Sequence, residues 1–264
     1  MISVFTPTYN RKHTIPKLYN SLINQTCLDF QWIIVDDGSN DGTEELISEY
    51  ILNKIINIKY FKQENAGKAY AINKGLDFAD YQYFFIVDSD DYLHQNAISI
   101  IIQECLDIEM NNIIAGLYFH RLDFSNKIIG NKVPFNKYDI HLLDLFYKYN
   151  VKGDSALVYK TNILKMYLFP KFKNEKFVPE ALIWNRIDKN YLLRVFNYGI
   201  YFTEYLDDGY TKNFNRIIKT NPKAFIIYYY ECILSKIPIF YKIKYLIRTF
   251  QCILYLILKS LKIK

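Results

Sequence analysis

Four short apolar runs punctuate the first third of the chain, and each stops at a polar cluster. Ile2–Thr6, Phe30–Val35, Ile55–Phe61 and Tyr83–Val87 read as strands. Between them, Thr14–Asn24 reads as a helix with Thr14 as its N-cap and Pro16 in its first turn. Asp41-Gly42-Thr43-Glu44 opens a second helix in the manner of a capping box, and Ala66–Ala79 is a third. Repeated βα units with short connections leave one broad solution, a largely parallel sheet covered by helices. Ligands bind such sheets outside the carboxyl ends of the strands.

The polar clusters fall at those ends: Thr6 to Asn10 after the first strand, Asp36-Asp37-Gly38-Ser39 after the second, and Asp88-Ser89-Asp90-Asp91 after the fourth. The last is the most informative, because carboxylates this close repel one another unless a positive charge sits among them. Asp88 and Asp90 project to the same side of an extended segment and suit Mn2+ or Mg2+, whose shell substrate phosphates and water would complete. An acidic turn whose Asp91 caps a helix beginning near Gln95 would explain the same residues. Asp37, Ser39, Asp41 and Gly42 imitate half of a calcium loop, but Ser48 stands where a bidentate Glu is required. There is no Gly-rich dinucleotide fingerprint and no phosphate loop ending in Gly-Lys-Ser/Thr. Asn65-Ala66-Gly67-Lys68 instead opens a helix, where Lys68 and backbone N–H groups could meet a phosphate, or Lys68 could simply be solvated.

Beyond residue 110 the pattern becomes mixed. Asn112–Leu122, Ser155–Tyr159 and Leu192–Thr203 read as strands, and Ile140–Tyr149 and Pro179–Lys189 as helices. No Gly/Ser linker intervenes, so residues 1–210 are expected to form one domain with one continuous sheet. Residues 211–264 differ: eleven Lys or Arg face a single acid, Glu231, a net charge of +10 against −4 for the preceding residues. After Pro222, long apolar helices carry Lys244, Arg248, Gln251, Lys259 and Lys262 as one polar stripe. Such a tail could lie as a basic amphipathic helix in a membrane interface, or pack its apolar face on the domain with its lysines in water.

The first strand begins directly after Met1, no apolar run has the length of a membrane span, and the four cysteines form no CxxC pair. A cytoplasmic protein with free thiols is expected, peripheral at the inner face of the membrane if the tail binds there. The four histidines lack ligand spacing, and no nucleic acid is expected as a partner.

Four motifs in this order, Thr6-Pro-Thr-Tyr-Asn-Arg11, Val35-Asp-Asp-Gly-Ser-Asn-Asp-Gly-Thr43, Asn65-Ala-Gly-Lys-Ala-Tyr-Ala-Ile-Asn-Lys-Gly75 and Val87-Asp-Ser-Asp-Asp91, resemble the family 2 glycosyltransferases. The resemblance is dense over residues 1–110 and looser beyond. It implies a GT-A fold, with a Rossmann-like, mostly parallel central sheet flanked by helices and here a C-terminal helical extension. It implies inverting, metal-dependent sugar transfer from a nucleotide-diphosphate donor, most often a UDP-sugar, to a glycan or lipid-linked acceptor. On this resemblance Thr6 and Tyr9 line the nucleotide pocket, Asp37 holds the uracil or ribose, and Lys68 approaches the nucleotide. Asp88-Ser89-Asp90 would be the metal-binding DxD element on the donor, with Asp91 beside it. The family's catalytic base is an acid downstream of that element, and Glu180 in Val178-Pro179-Glu180-Ala181 is the candidate, although the usual second acid is missing.

Trp184, one helical turn after Glu180, could be a sugar-stacking platform or a core residue. Asp154 could reach the sugar or end a turn, and Asp207-Asp208 could add acids or belong to a hairpin. Two rival functions would draw on some of the same residues. A sugar nucleotidyltransferase would usually carry a Gly-rich loop that residues 6–14 lack. A non-catalytic sugar-binding module has no need of Asp88, Asp90 and Glu180 together.

Overall fold

The computed structural model describes residues 2–203 and 214–261. In chain order the elements are β1 (Ile2–Thr8), α1 (Ile15–Ile23), β2 (Phe30–Asp36), α2 (Thr43–Asn53), β3 (Asn57–Lys62), α3 (Lys68–Asp77), β4 (Tyr83–Ile86), β5 (Tyr92–Leu93), α4 (Ala97–Ile108) and β6 (Ile114–Leu122). They continue as β7 (Tyr138–Ile140), α5 (Leu142–Tyr147), β8 (Ser155–Lys160), α6 (Thr161–Met166), α7 (Ala181–Asp188), β9 (Leu192–Phe202), α8 (Phe214–Thr220), α9 (Pro222–Leu234) and α10 (Ile239–Ser260).

One sheet runs in the order β3-β2-β1-β4-β8-β6-β9-β5, with β7 on the flank of β9. The strands from β3 to β4 are mutually parallel. β8 then runs antiparallel between β4 and β6, and β6 pairs parallel with β9. The later half therefore extends the first sheet, as its mixed pattern implies. β1 and β2 are buried along their whole length, because helices cover both faces. Alternation sorts their side chains: Ile2, Val4, Trp32 and Ile34 join the core beneath α1, α2 and α4, while Phe5, Ile33 and Val35 join the core beneath α3, α6 and α7.

Strands β2 and β3 lie to one side of β1 and β4 to the other. The chain thus reverses its direction of travel across the sheet at the β1–β4 pair, and a crevice opens at the carboxyl ends there. Asp88 follows β4 into that crevice, while Tyr9, half exposed, follows β1.

The C-terminal helices are tied to this body by polar contacts. Glu175 is buried, and its carboxylate accepts hydrogen bonds from the Lys223 and Ala224 amides at 3.0 Å each, capping α9. Arg186 of α7 pairs with Glu231 of α9 at 2.6 Å, and the Tyr147 and Tyr245 hydroxyls, from α5 and α10, meet at 2.6 Å. No helix among the described residues is long and apolar enough to cross a membrane.

Candidate active site

The acidic turn after β4 is held from beneath by β9 and β6. Tyr92 and Leu93 of β5 pair with Phe202 and Tyr201 of β9, which brings the Tyr201 hydroxyl under the turn. That hydroxyl accepts the Asp88 amide proton at 2.9 Å and donates to Asp91 Oδ2 at 2.7 Å. Arg121, near the end of β6, reaches Asp91 at 3.0 Å and Asp88 at 3.4 Å, donates Nε–H to the Ser155 carbonyl, and stacks its guanidinium 4.2 Å over the Tyr201 ring. Burial and then the charge of Asp88 push the Asp91 carboxyl upward, while Arg121 and the Tyr201 hydroxyl pull against that shift. Arg121 and Tyr201 were invisible as site residues in the sequence. The available signal was an arginine near the end of an apolar strand, which demands a carboxylate partner once buried.

A second cation faces the crevice. Lys68, the first residue of α3, places Nζ 2.5 Å from Asp88 Oδ1 and 2.7 Å from Glu180 Oε1. Burial opposes its charge, but Asp88 and then Glu180 outweigh burial and keep it protonated. Burial likewise opposes the charge of Asp88, yet Lys68 and then Arg121 hold its pKa at about 2.

The segment carrying Glu180 is stitched onto α3. Asn73 exchanges two 2.9 Å hydrogen bonds with the Phe169 backbone, and the Tyr70 hydroxyl accepts from the Phe172 amide at 2.8 Å and donates to the Glu175 carbonyl at 3.3 Å. Gly67 has φ +105° and packs so closely that a Cβ there would collide with the Lys176 carbonyl. The Asn65–Gly75 motif thus sets Lys68 in place and also positions the loop that delivers Glu180. On the far side, Asn221 Oδ1 accepts the Lys176 and Phe177 amides at 3.0 Å each.

Three expected contacts are not built. Thr6 is fully buried and its hydroxyl accepts the Trp32 indole N–H at 2.9 Å, so its side chain faces the core and not a nucleotide. Asp37 is 5% exposed, and its carboxylate accepts from Gln63 Nε2 and from the Ala66 and Gly67 amides at 2.7–2.8 Å. It holds the loop that leads to Lys68 and does not present itself to a ribose or a pyrimidine. Trp184 is 9% exposed, stacked on Tyr159 with ring centroids 4.9 Å apart and edge-on to Phe169, which makes it a core residue and not a sugar platform. Tyr9 is open, Asp154 is exposed at the start of β8 near Arg121, and Ser89 is buried in the acidic turn. Asp207 and Asp208 lie outside the described residues.

The donor set suits a hard divalent cation. Asp90 forms no ion pair among the described residues, and burial, then the charge of Asp88, raises its pKa. A partly buried carboxylate beside an ionised one is relieved by a cation. No group of three or more His, Cys, Asp or Glu side chains converges among the described residues, so Asp88 and Asp90 would supply part of a shell for Mg2+ or Mn2+.

The sequence profile described as "Glycosyl transferase family 2" matches residues 3–173. The chain belongs to this family. Its curated relatives include the poly(ribitol-phosphate) beta-N-acetylglucosaminyltransferase TarP of Staphylococcus aureus, 29% identical over 173 residues, which span 63% of this chain and 48% of that protein. The chondroitin synthase of Pasteurella multocida is 34% identical over 106 residues, 40% of this chain and 11% of the synthase. The chain thus spans less than half the length of either relative. Among solved structures, S. aureus TarS 1–349 in complex with UDP-GlcNAc superposes with a TM-score of 0.64 at 19% identity, covering 95% of this chain and 72% of that one. Mannosyltransferase PcManGT from Pyrobaculum calidifontis, in complex with GDP-Man and Mn2+, superposes with a TM-score of 0.61 at 16% identity, covering 94% and 69%. These structural likenesses establish the GT-A fold for the sheet and the helices around it.

Proposed function

We infer that the chain transfers a sugar, with inversion, from a nucleotide-diphosphate donor to a glycan or lipid-linked saccharide, and that it works at the inner face of the cytoplasmic membrane. A UDP-sugar is the donor the reading favours, in keeping with the UDP-GlcNAc complex of TarS. One observation carries it: Glu180, remote in sequence, is delivered to the Lys68–Asp88 corner at the open end of the parallel strands. Inversion needs a base on the sugar face opposite the leaving group. Glu180 would take the proton of the acceptor hydroxyl as that oxygen bonds to the anomeric carbon. The bond from that carbon to the diphosphate breaks, and its electron pair leaves with the nucleotide. A divalent cation held by Asp88 and Asp90 would act as a Lewis acid toward the diphosphate. Lys68 places a fixed positive charge where negative charge grows, and Arg121 keeps Asp88 and Asp91 from drifting apart. Tyr9 is open to stack on the base, and Asp154 would meet the sugars.

A panel of UDP-sugars with Mn2+, scored by UDP release, tests this reading, with Asp90→Ala and Glu180→Ala as controls. The first substitution should weaken cation-dependent donor binding, and the second should stop transfer while donor still binds. Pyrophosphate chemistry would point to a nucleotidyltransferase instead, and no turnover with any donor to a binding module.

A further inference from the structure

Helix α10 lies on the body in the opposite sense to a helix of a water-soluble surface. Several of its hydrogen-bonding side chains are turned toward the protein, and a broad apolar side is turned out. On the inner side Cys252 is fully buried, Tyr245 meets Tyr147, Arg248 donates to Gln251 at 2.7 Å, Gln251 donates to the Tyr255 hydroxyl at 2.9 Å, and Lys259 caps the Thr220 carbonyl at 3.0 Å. On the outer side Phe240, Ile243, Ile247, Phe250, Leu254 and Ile257 are between 49% and 72% exposed. At 3.6 residues per turn those six fall within an arc of about 100°. Soluble monomers leave contiguous apolar patches of at most a few hundred Å2, roughly 300–600 Å2, and a larger one marks a partner. Of the polar stripe foreseen from the sequence, Arg248 and Gln251 are turned toward the protein, Lys244 and Lys259 stay exposed, and Lys262 lies outside the described residues.

The geometry points to the outer face of α10 as a lipid-binding surface that lies in the plane of an anionic membrane, which deepens the membrane location inferred above and rests on it. Charge selects this occupant over a second copy of the chain. Lys242, Lys244, Arg248 and Lys259 are the charged residues of α10, and the helix has no acid. Lys242 and Lys244 project on opposite flanks of the apolar arc. Their aliphatic stems can lie along acyl chains while the ammonium groups meet lipid phosphates. Two copies placed face to face would set these cations against one another with no carboxylate to neutralise them. Against an anionic leaflet each lysine near the surface is favourable. The helix is about 33 Å long at 1.5 Å per residue, and too polar on its inner side to span, so it would lie flat.

The placement bears on the acceptor. Lys244, on the flank of α10, and Tyr245 and Arg248, on its protein side, wall a cleft with Phe177 and Pro179, and Pro179 adjoins Glu180. A surface that holds α10 on lipid would therefore hold the segment carrying the proton-accepting carboxylate close to lipid-linked acceptors.

Co-sedimentation of the full chain with phosphatidylglycerol–phosphatidylcholine vesicles, and with pure phosphatidylcholine vesicles, tests the surface. The expected result is binding to the anionic vesicles, at least ten-fold weaker partition for Ile247→Asp/Phe250→Asp, and a smaller loss for Lys242→Glu confined to anionic vesicles. Both aspartate sites are solvent-exposed, so the fold should survive, which circular dichroism checks. Absent binding, unchanged binding of the double variant, equal binding to both lipids, or a concentration-dependent dimer that the double variant dissolves would each overturn the proposal. UDP release in vesicle-free solution reads the transferase separately: vesicle binding without turnover would sink the transfer reading alone, and turnover without vesicle binding would sink the surface and the membrane location but leave the transfer reading standing.

Discussion

The Lys68 ammonium lies 2.7 Å from Glu180 Oε1, and the same nitrogen touches Asp88. One cation therefore joins the candidate base to the acidic corner, across a crevice whose two walls come from segments far apart in the sequence. Without it, two carboxylates would face each other in a site largely shielded from water, a repulsion that would spread the crevice or force a proton onto one of them.

Removing either partner should separate binding from chemistry. Glu180→Gln deletes the proton acceptor but leaves a side chain of the same shape, so kcat should fall about 10²–10⁴-fold with donor affinity retained. Lys68→Met deletes the shared cation, so donor affinity itself should fall. Calorimetric titration with UDP and steady-state rates read the two effects apart. Identical patterns in both variants would reject the division of roles.

The α3 stitches predict a purely positional variant. Tyr70→Phe removes the acceptor of the Phe172 amide and the donor to the Glu175 carbonyl, leaving a partly buried N–H unpaired at a cost of about 1–3 kcal/mol. The loop that carries Glu180 loses its register against Lys68. A displacement of about 1 Å at a reacting group can cost up to about 100-fold in rate, so kcat should drop by one to two decades. Nucleotide affinity should hardly move, because the hydroxyl touches neither Asp88 nor Asp90. A raised UDP Kd with normal kcat would place Tyr70 in the donor site instead.

How far this site could be read from sequence depended on whether its contacts are local. The strand ends β1, β2 and β4 are set by apolar runs that stop abruptly, so the positions of Tyr9, Asp37 and Asp88 at the open edge followed directly. Side-chain direction did not follow. Asp37 precedes a glycine turn, but whether its oxygens look outward or back at the Ala66 and Gly67 amides depends on a loop from another βα unit. Arg121 depends on β6 and β9 lying side by side, a pairing no local pattern encodes. On α10 the polar and apolar sides were legible but which of them meets the body was not, since that needed Tyr147 and Thr220 as partners of Tyr245 and Lys259.

Trp184 gives a test of that limit. Helical spacing puts it on the same side as Glu180, yet its ring is packed on Tyr159 and Phe169. Trp184→Ala should cost about 3–5 kcal/mol of stability through the cavity it leaves, read from urea unfolding. Trp184→Phe should recover most of that stability and leave the acceptor KM near its original value. A large rise in acceptor KM for the Phe variant would restore the stacking role.

The pH dependence of folding should carry the mark of His120. Its ring is fully buried in β6, Nε2 accepts the Val133 amide at 3.2 Å, and Tyr118 lies edge-on at 5.4 Å. Burial, and then the charge of Lys132, push its pKa down to about 4. The unfolded chain, with an ordinary value of about 6.5, binds the proton first as pH falls. Folding stability is therefore fully present above about pH 6.5 and declines as pH falls toward the folded-state value. At pH 5 the deficit relative to pH 7 should be about 2 kcal/mol from this one ring. Urea titrations at the two pH values measure it, and His120→Gln, which cannot titrate, should shrink the difference by that amount. If wild type and variant lose equal stability between pH 7 and pH 5, the acid sensitivity of the fold originates elsewhere.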